Sequence, residues 1–196
     1  MKKLNFIIKY GLALLLLSFY SCESWLNVTP SDRLSEEMLF NDREGFVKAL
    51  NGVYIELNTN ELYGRNLTAG ALDVMGQYYS VASSSHAFYN YGGLVYTGND
   101  EKALFDNMWQ KCYAVIACCN TIIEKCDENK AGLSPVWKGS IKGEALALRA
   151  MLHFDMLRLF GPLTSELDKE SIPYQTNSDQ TVTPLLSGSE VIGLIL

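Results

Sequence analysis

Residues 141–163, IKGEALALRAMLHFDMLRLFGPL, carry the clearest helical pattern of the chain. Apolar side chains recur three or four positions apart, which places them on one helical face; they are Ile141, Ala145, Leu148, Leu152, Met156 and Leu159. A second stripe predicts that neighbours cover the helix on most sides; it comprises Leu146, Ala150, Phe154 and Leu157. On the remaining surface Asp155 and Arg158 are spaced to pair. Gly161 and Pro162 predict a sharp end, because proline cannot continue a helix.

The same periodicity predicts two more long helices. The first is capped by Asn41 or Asp42, and Glu44 is placed for a capping box from Asn41. Its apolar face is formed by Phe46, Leu50, Val53, Tyr54 and Leu57. The second runs from about residue 100 to residue 126, and its face is formed by Phe105, Trp109, Cys112, Ile116, Cys119, Ile123 and Cys126.

Weaker patterns connect these helices. Residues 69–75 predict a short helical piece, and Ser134, followed by proline, predicts a helix start that kinks or continues into the stretch quoted above. Residues 163–183 are polar and aperiodic, so we expect irregular structure there. A last helix begins at Ser187 or Ser189, and the sequence ends inside it, which predicts a truncated chain.

Composition places the chain among globular proteins with a core of ordinary size. It has 196 residues, of which 48% are hydrophobic and 19% are charged, and its net charge is −6. The acidic balance argues against nucleic acid as a partner, because phosphate binding requires clustered basic residues.

The first 21 residues are typical of a secretory signal peptide. Two lysines precede a short apolar run, which is too short to span a membrane, and small residues follow. Cleavage before Cys22 would make that cysteine a lipid attachment site, although only Ser21 and Cys22 fit the usual lipoprotein pattern. An ordinary signal peptide with an incidental cysteine is the alternative. Residues 22–41 are then an anchor and a tether without regular structure.

The 141–163 stretch resembles a helix of the SusD/RagB family of Bacteroidota outer-membrane lipoproteins. The matching residues are Gly143, Glu144, Ala145, Arg149, Ala150, Phe154, Arg158, Phe160, Gly161 and Leu163. The resemblance extends to the tether, to the first helix and to the block Trp109, Tyr113, Ile116 and Asn120. It implies an all-α fold of tetratricopeptide-like antiparallel helix pairs with long loop insertions. Residues 42–196 are then the N-terminal helical domain of a longer protein.

Neither a catalytic nor a metal-binding constellation is evident. Cys112, Cys118, Cys119 and Cys126 share one predicted helix without a C-x-x-C pair, so we expect small core side chains rather than a zinc site or disulfides within the helix. His153 and Asp155 are two residues apart, which points them to different helical faces. No nucleophile, metalloprotease or P-loop pattern occurs. We therefore expect no enzyme activity, no cofactor and no metal.

Residues 76–98, GQYYSVASSSHAFYNYGGLVYTG, form the candidate binding element, called here the aromatic loop. They show no helical period, and long loops of this kind are often functional. Aromatic rings with polar edges can stack on sugars or on peptide side chains, while amide and hydroxyl groups bind their polar groups. The candidate ligand residues are Tyr78, Tyr79, His86, Tyr89, Asn90 and Tyr91. Alternatively, some of these rings pack the loop onto the helices.

The resemblance implies a function in nutrient capture. A SusD-like protein is a lipid-anchored, cell-surface protein that binds an oligosaccharide and acts with a TonB-dependent SusC-like outer-membrane transporter. A peptide ligand, as in the RagB branch, is the closest alternative. A lipid-anchored helical scaffold that binds only proteins is a second alternative, and such a scaffold would not need exposed stacking rings.

Overall fold

Two long antiparallel helices form the centre of the fold in the computed structural model, which describes residues 36–179 and 181–196. Helix α5 spans Asn99–Glu128 and helix α6 spans Pro135–Phe160, so the start predicted at Ser134 continues without interruption. The serine hydroxyl accepts a hydrogen bond from the Trp137 N–H at 3.5 Å, and proline occupies the first turn.

Helix α2, Arg43–Leu57, packs antiparallel to α5. Its cap is Asp42, whose carboxylate accepts a hydrogen bond from the Gly45 N–H at 2.8 Å. The capping box predicted from Asn41 does not form, because the N-cap is Asp42; the Glu44 carboxylate pairs with Lys48 at 2.9 Å. The predicted apolar face is buried at Phe46, Leu50, Val53 and Leu57, whereas Tyr54 is exposed.

Short elements complete the chain. Helix α1 spans Glu36–Leu39, α3 spans Ala71–Met75 and α4 spans Tyr89–Gly92. A 3-10 turn covers Thr164–Glu166, strand β1 spans Glu170–Pro173, strand β2 spans Leu185–Ser187, and helix α7 spans Gly188–Ile195. The last helix begins as predicted, with a capping box between Ser187 and Glu190.

The core confirms the long-helix predictions in most positions. From α5 it takes Met108, Cys112, Val115, Ile116, Cys119, Ile122, Ile123 and Cys126, and from α6 it takes Ile141, Ala145, Leu148, Leu152, Met156 and Leu157. The second stripe of α6 is covered only in part: Leu157 is buried, whereas Phe154 is 47% exposed. Asp155 and Arg158 pair as predicted, but the carboxylate is buried rather than on the surface.

The region after α6 differs most from its prediction. Strand β1 lies within residues 163–183, where irregular structure was expected, and pairs antiparallel with β2. Their pairing places Ile172 in the core. The tether prediction for residues 22–41 is also wrong at its end, since α1 is helical and Phe40 packs edge-to-face on Phe46 with the ring centroids 4.9 Å apart. The remaining tether, the signal peptide and Cys22 lie outside the described residues.

Side chains of α5 and α6 hold the backbone that follows β1. Tyr113 donates to the carbonyl of Pro173 at 2.8 Å, and Asn120 donates to the carbonyls of Gln175 and Asn177. Further bonds to main-chain atoms of this segment come from Glu124, Arg149 and His153. These contacts fix the path of residues 173–178 on the helix pair.

The fold class is the predicted one: all-α, built on antiparallel helices, with one small β-ribbon among the described residues. None of the helices in 36–179 and 181–196 has both the length and the apolar character needed to span a membrane.

Candidate functional site

The aromatic loop is an Ω-shaped excursion whose two ends meet. The side-chain amide of Gln77 donates to the carbonyl of Gly92 at 2.9 Å and closes the base of the loop. Gln77 and Leu94 both adopt left-handed backbone conformations, with φ of 59° and 56°. Such angles are unusual for side chains with a Cβ, so the flanking structure holds both residues in place. The loop prediction therefore holds, with the short helix α4 inside it.

The second half of the loop is anchored in a small core of its own. Tyr91 is 2% exposed and packs with Ala71 and Val74, and its ring lies 6.0 Å from that of Phe105 on α5. Burial, followed by the nearby Glu101 and Asp100 carboxylates, raises the pKa of Tyr91 to about 12. This packing removes Tyr91 from the candidate ligand residues.

Asn90 is likewise an anchor, because its amide donates to the Glu101 carboxylate at 2.7 Å. That bond, together with the backbone N–H of Glu101 itself, lowers the pKa of the Glu101 carboxyl group. Gly98 permits the arrangement, since a Cβ at that position would lie 2.0 Å from a Glu101 carboxylate oxygen. Asn90 is thus engaged within the protein, although its side chain remains at the surface.

The other four predicted residues lie at the surface. Tyr78 is 84% exposed, Tyr79 and Tyr89 are each 42% exposed, and His86 is also exposed. Tyr79 and His86 line one cavity of about 410 Å³, together with Ser80, Val81, Ala82, Ser83 and Phe88. The structure therefore brings two of the six predicted residues together around one open space.

Hydrogen bonds hold the side chains of Tyr79 and His86 in fixed orientations. The Tyr79 hydroxyl donates to the carbonyl of Ala69 at 2.6 Å, which immobilises a ring that remains exposed. The Phe88 N–H donates to Nδ1 of His86 at 3.1 Å. Because Nδ1 is an acceptor in this bond, the hydrogen of a neutral imidazole lies on Nε2 and is free to donate. The cavity thus offers a stacking surface, serine hydroxyls and a ring N–H, a combination suited to a polyhydroxylated ligand.

Sequence reasoning missed one residue beside this cavity. The guanidinium carbon of Arg65 lies 5.8 Å from the centroid of the Phe88 ring. No motif surrounds Arg65 in the sequence, and the turn that brings it to the aromatic loop is visible only in three dimensions.

The cysteines follow the structural prediction, with one exception. Cys112, Cys119 and Cys126 are buried and free, and burial raises the pKa of Cys119 to about 12. Cys118 is exposed, contrary to its expected place in the core. In the part of the chain that the structure describes, no group of three or more histidine, cysteine or acidic side chains is arranged to hold a metal ion.

Comparison with known proteins decides the family. The SusD-like family model described as "Starch-binding associating with outer membrane" matches residues 24–188. The chain belongs to the SusD-like family. This membership confirms the resemblance recognised in the 141–163 stretch.

Two SusD-like proteins of Formosa agariphila are among its relatives. One is 25% identical over 166 residues, covering 82% of this chain and 30% of the relative. The other is 27% identical over 193 residues, covering 90% of this chain and 32% of the relative. This chain therefore spans about a third of the length of these relatives.

Solved structures of SusD superfamily proteins share the fold. The protein from Bacteroides thetaiotaomicron aligns with a TM-score of 0.59 at 20% identity over 79% of this chain and 35% of its own. The protein from Bacteroides vulgatus aligns with a TM-score of 0.59 at 18% identity over 80% of this chain and 33% of its own. The helix pairs described above are thus a SusD-like arrangement.

Proposed function

We propose that this SusD-like chain binds a nutrient glycan at the cavity of the aromatic loop and has no enzymatic role. The observation that carries the proposal is the exposed Tyr79 ring, held by its own hydroxyl beside serine hydroxyls and the His86 imidazole. A sugar ring can stack on such a surface with little loss of side-chain entropy, because the protein has already fixed the aromatic ring.

The family description supports a proposal for the cellular setting. The matching family model is described as starch-binding and associated with the outer membrane. We infer that the protein is a lipoprotein anchored through Cys22, faces the cell exterior, and delivers its ligand to a TonB-dependent SusC-like transporter. A multi-acyl anchor supports stable attachment, since two or more chains bury enough methylene groups to hold a protein at a bilayer.

Affinity electrophoresis of the full chain against a panel of polysaccharides tests the binding. Retardation by at least one polysaccharide is expected, and Tyr79→Ala should weaken it about tenfold or more, in line with the truncation of an interface hot spot. Tyr54→Ala is the matched control, because Tyr54 is similarly exposed but lies on α2.

Equal retardation of the two variants would place the ligand away from the aromatic loop. Absence of retardation by every polysaccharide, with binding of an extended peptide instead, would favour the RagB-like alternative. Absence of both kinds of binding would favour a scaffold that contacts only proteins.

A further inference from the structure

Arg65 brings a positive charge to the aromatic loop. Its guanidinium stacks near the Phe88 ring, and its Nε donates to the side-chain oxygen of Asn66 at 3.2 Å. The two Nη groups have no hydrogen-bond partner in the described part of the chain. The residue is exposed, so these groups can reach a ligand.

Among the residues that the structure describes, no carboxylate lies within ion-pair distance of the Arg65 guanidinium. Most basic side chains of residues 36–179 and 181–196 do have such a partner, as Lys111 has Glu56 and Lys142 has Asp127. The Glu101 carboxylate accepts the Asn90 amide and is engaged there. Arg65 lies outside the cavity lining but beside it, against the ring of Phe88, which does line the cavity. The lining itself contains no acidic side chain.

His86 places a second hydrogen-bond donor beside the Phe88 ring. The His86 ring lies 5.7 Å from that of Phe88. Its Nδ1 is occupied by the Phe88 N–H, which leaves Nε2–H as the free donor. Arg65 and His86 therefore both contact the Phe88 ring, one as a permanent cation and the other as a hydrogen-bond donor.

From this juxtaposition we propose that the cavity binds a sugar that carries an anionic group, a carboxylate or a sulfate. The proposal rests on the glycan-binding function above and names the class of its ligand. The planar guanidinium matches the paired oxygens of either group, and a hydrogen bond to a charged group is stronger than one to a neutral hydroxyl. Tyr79 supplies the stacking surface for the sugar ring.

The net charge of −6 does not oppose this binding strongly. At physiological ionic strength the screening length is about 8 Å, so an anion at Arg65 is governed by the charges close to it rather than by distant acidic residues. The same screening predicts that affinity falls as salt is added.

Matched pairs of oligosaccharides test the proposal by calorimetry with the full chain. One pair is trigalacturonate and its methyl ester; the other is a sulfated galactan oligosaccharide and its desulfated form. At least one charged member is expected to bind about tenfold more tightly than its neutral counterpart. Whichever pair shows the preference identifies the anionic group as carboxylate or sulfate.

Two variants of Arg65 test whether this side chain causes the preference for the charged oligosaccharide. Arg65→Gln should abolish it, while Arg65→Lys, which keeps the charge without the planar fork, should retain part of it. Arg43→Gln is the control, because Arg43 also stacks on an aromatic ring, that of Trp137 at 4.6 Å, but lies on α2. This control should leave the preference unchanged.

The other possible results would each contradict one element of the proposal. Equal affinity for charged and neutral members, with loss of binding in Tyr79→Ala, would refute the anionic class and leave glycan binding intact. A preference that survives Arg65→Gln would show that Arg65 only packs against Phe88. Binding of neither member of either pair, nor of any neutral polysaccharide, would refute both the ligand class and the proposed function.

Discussion

The hydroxyl of Tyr63 donates a hydrogen bond to the carboxylate of Asp155, 92 positions later in the chain. Arg158 donates to the other oxygen of the same carboxylate, with Nε at 3.0 Å. Burial, and then the hydrogen bond to Asp155, raises the pKa of Tyr63 well above its ordinary value. The contact joins the turn after α2 to the last turns of α6.

Removing this hydroxyl should destabilise the fold. Tyr63→Phe leaves a buried carboxylate oxygen without its donor, and the free energy of unfolding should fall by about 1–3 kcal/mol in a urea titration. Tyr54→Phe is the control, because the Tyr54 hydroxyl also donates to a carboxylate, that of Glu144 at 2.7 Å, but at an exposed position. Its effect should stay within about 0.5 kcal/mol. Equal effects would mean that the burial of Asp155 does not matter.

Acid should destabilise the protein through His153. Its Nδ1 donates to the Arg149 carbonyl, its Nε2 accepts the Gln175 N–H, and burial lowers its pKa from 6.5 to about 4. The unfolded chain therefore binds a proton between these pH values while the folded one does not. The contribution is fully present above pH 6.5, decreases as pH falls, and is lost by about pH 4, a change of about 3 kcal/mol.

Urea titrations between pH 7.5 and 4 measure this dependence. His153→Gln should flatten it, because glutamine has no proton to bind in that interval. A profile as steep in the variant as in the parent would assign the acid sensitivity to other groups.

Relief of the strain at Leu94 should stabilise the chain. Glycine accepts a positive φ without steric cost, so Leu94→Gly should raise the free energy of unfolding by about 1 kcal/mol. Leu94→Ala keeps the Cβ and should give none of this gain. Thermal unfolding compares the two, and equal midpoints would show that the backbone at Leu94 is not strained.

Truncating a core aromatic residue should destabilise the protein much more than truncating an exposed aromatic residue of the aromatic loop. The Trp109 ring lies 5.0 Å from Phe160 and 4.8 Å from Tyr113, so Trp109→Ala should lower the free energy of unfolding by about 3 kcal/mol. Tyr78→Ala removes an exposed ring and should change it by less than about 0.5 kcal/mol. A large loss for Tyr78→Ala would make that ring part of the packing.

Thiol labelling should distinguish the cysteines of α5. In the native protein a maleimide should modify Cys118, which is exposed, and spare the buried Cys112, Cys119 and Cys126 until urea is added. Reaction at Cys118 should still be slow, because partial desolvation by its neighbours, and then the nearby Glu56 carboxylate, raise the thiol pKa. Peptide mapping with Cys118→Ser as the control locates the label. Rapid native labelling at Cys112 would contradict the burial described for it.

The sequence predicted the long helices well, because their information is local and periodic. The apolar spacing of α6, and the serine and proline at its start, depend on neighbours within four positions. The exposure of Phe154 was not predictable in this way, since periodicity shows which residues share a face but not whether another element covers that face. The β-ribbon was missed because its pairing joins residues from 170 to 187 through an aperiodic stretch.

The predictions for the candidate site also succeeded where the information is local and failed where it depends on tertiary contacts. Residue types in the aromatic loop correctly indicated a surface with exposed rings, at Tyr78, Tyr79 and Tyr89. Composition could not show that Tyr91 faces inward or that Asn90 binds Glu101. The position of Arg65 beside Phe88 depends on the turn that follows α2, and no pattern in the sequence records it.

The way α5 and α6 hold residues 173–178 bears on how this segment can change during evolution. The bonds from Tyr113 and Asn120 end on backbone carbonyl groups, which every residue provides. His153 accepts a backbone N–H, which every residue except proline provides. Substitutions in the held segment therefore leave its path unchanged, whereas changes in the three helix residues release it. We expect homologues to vary freely at positions such as Thr176 and Asn177 while the supporting side chains remain constant.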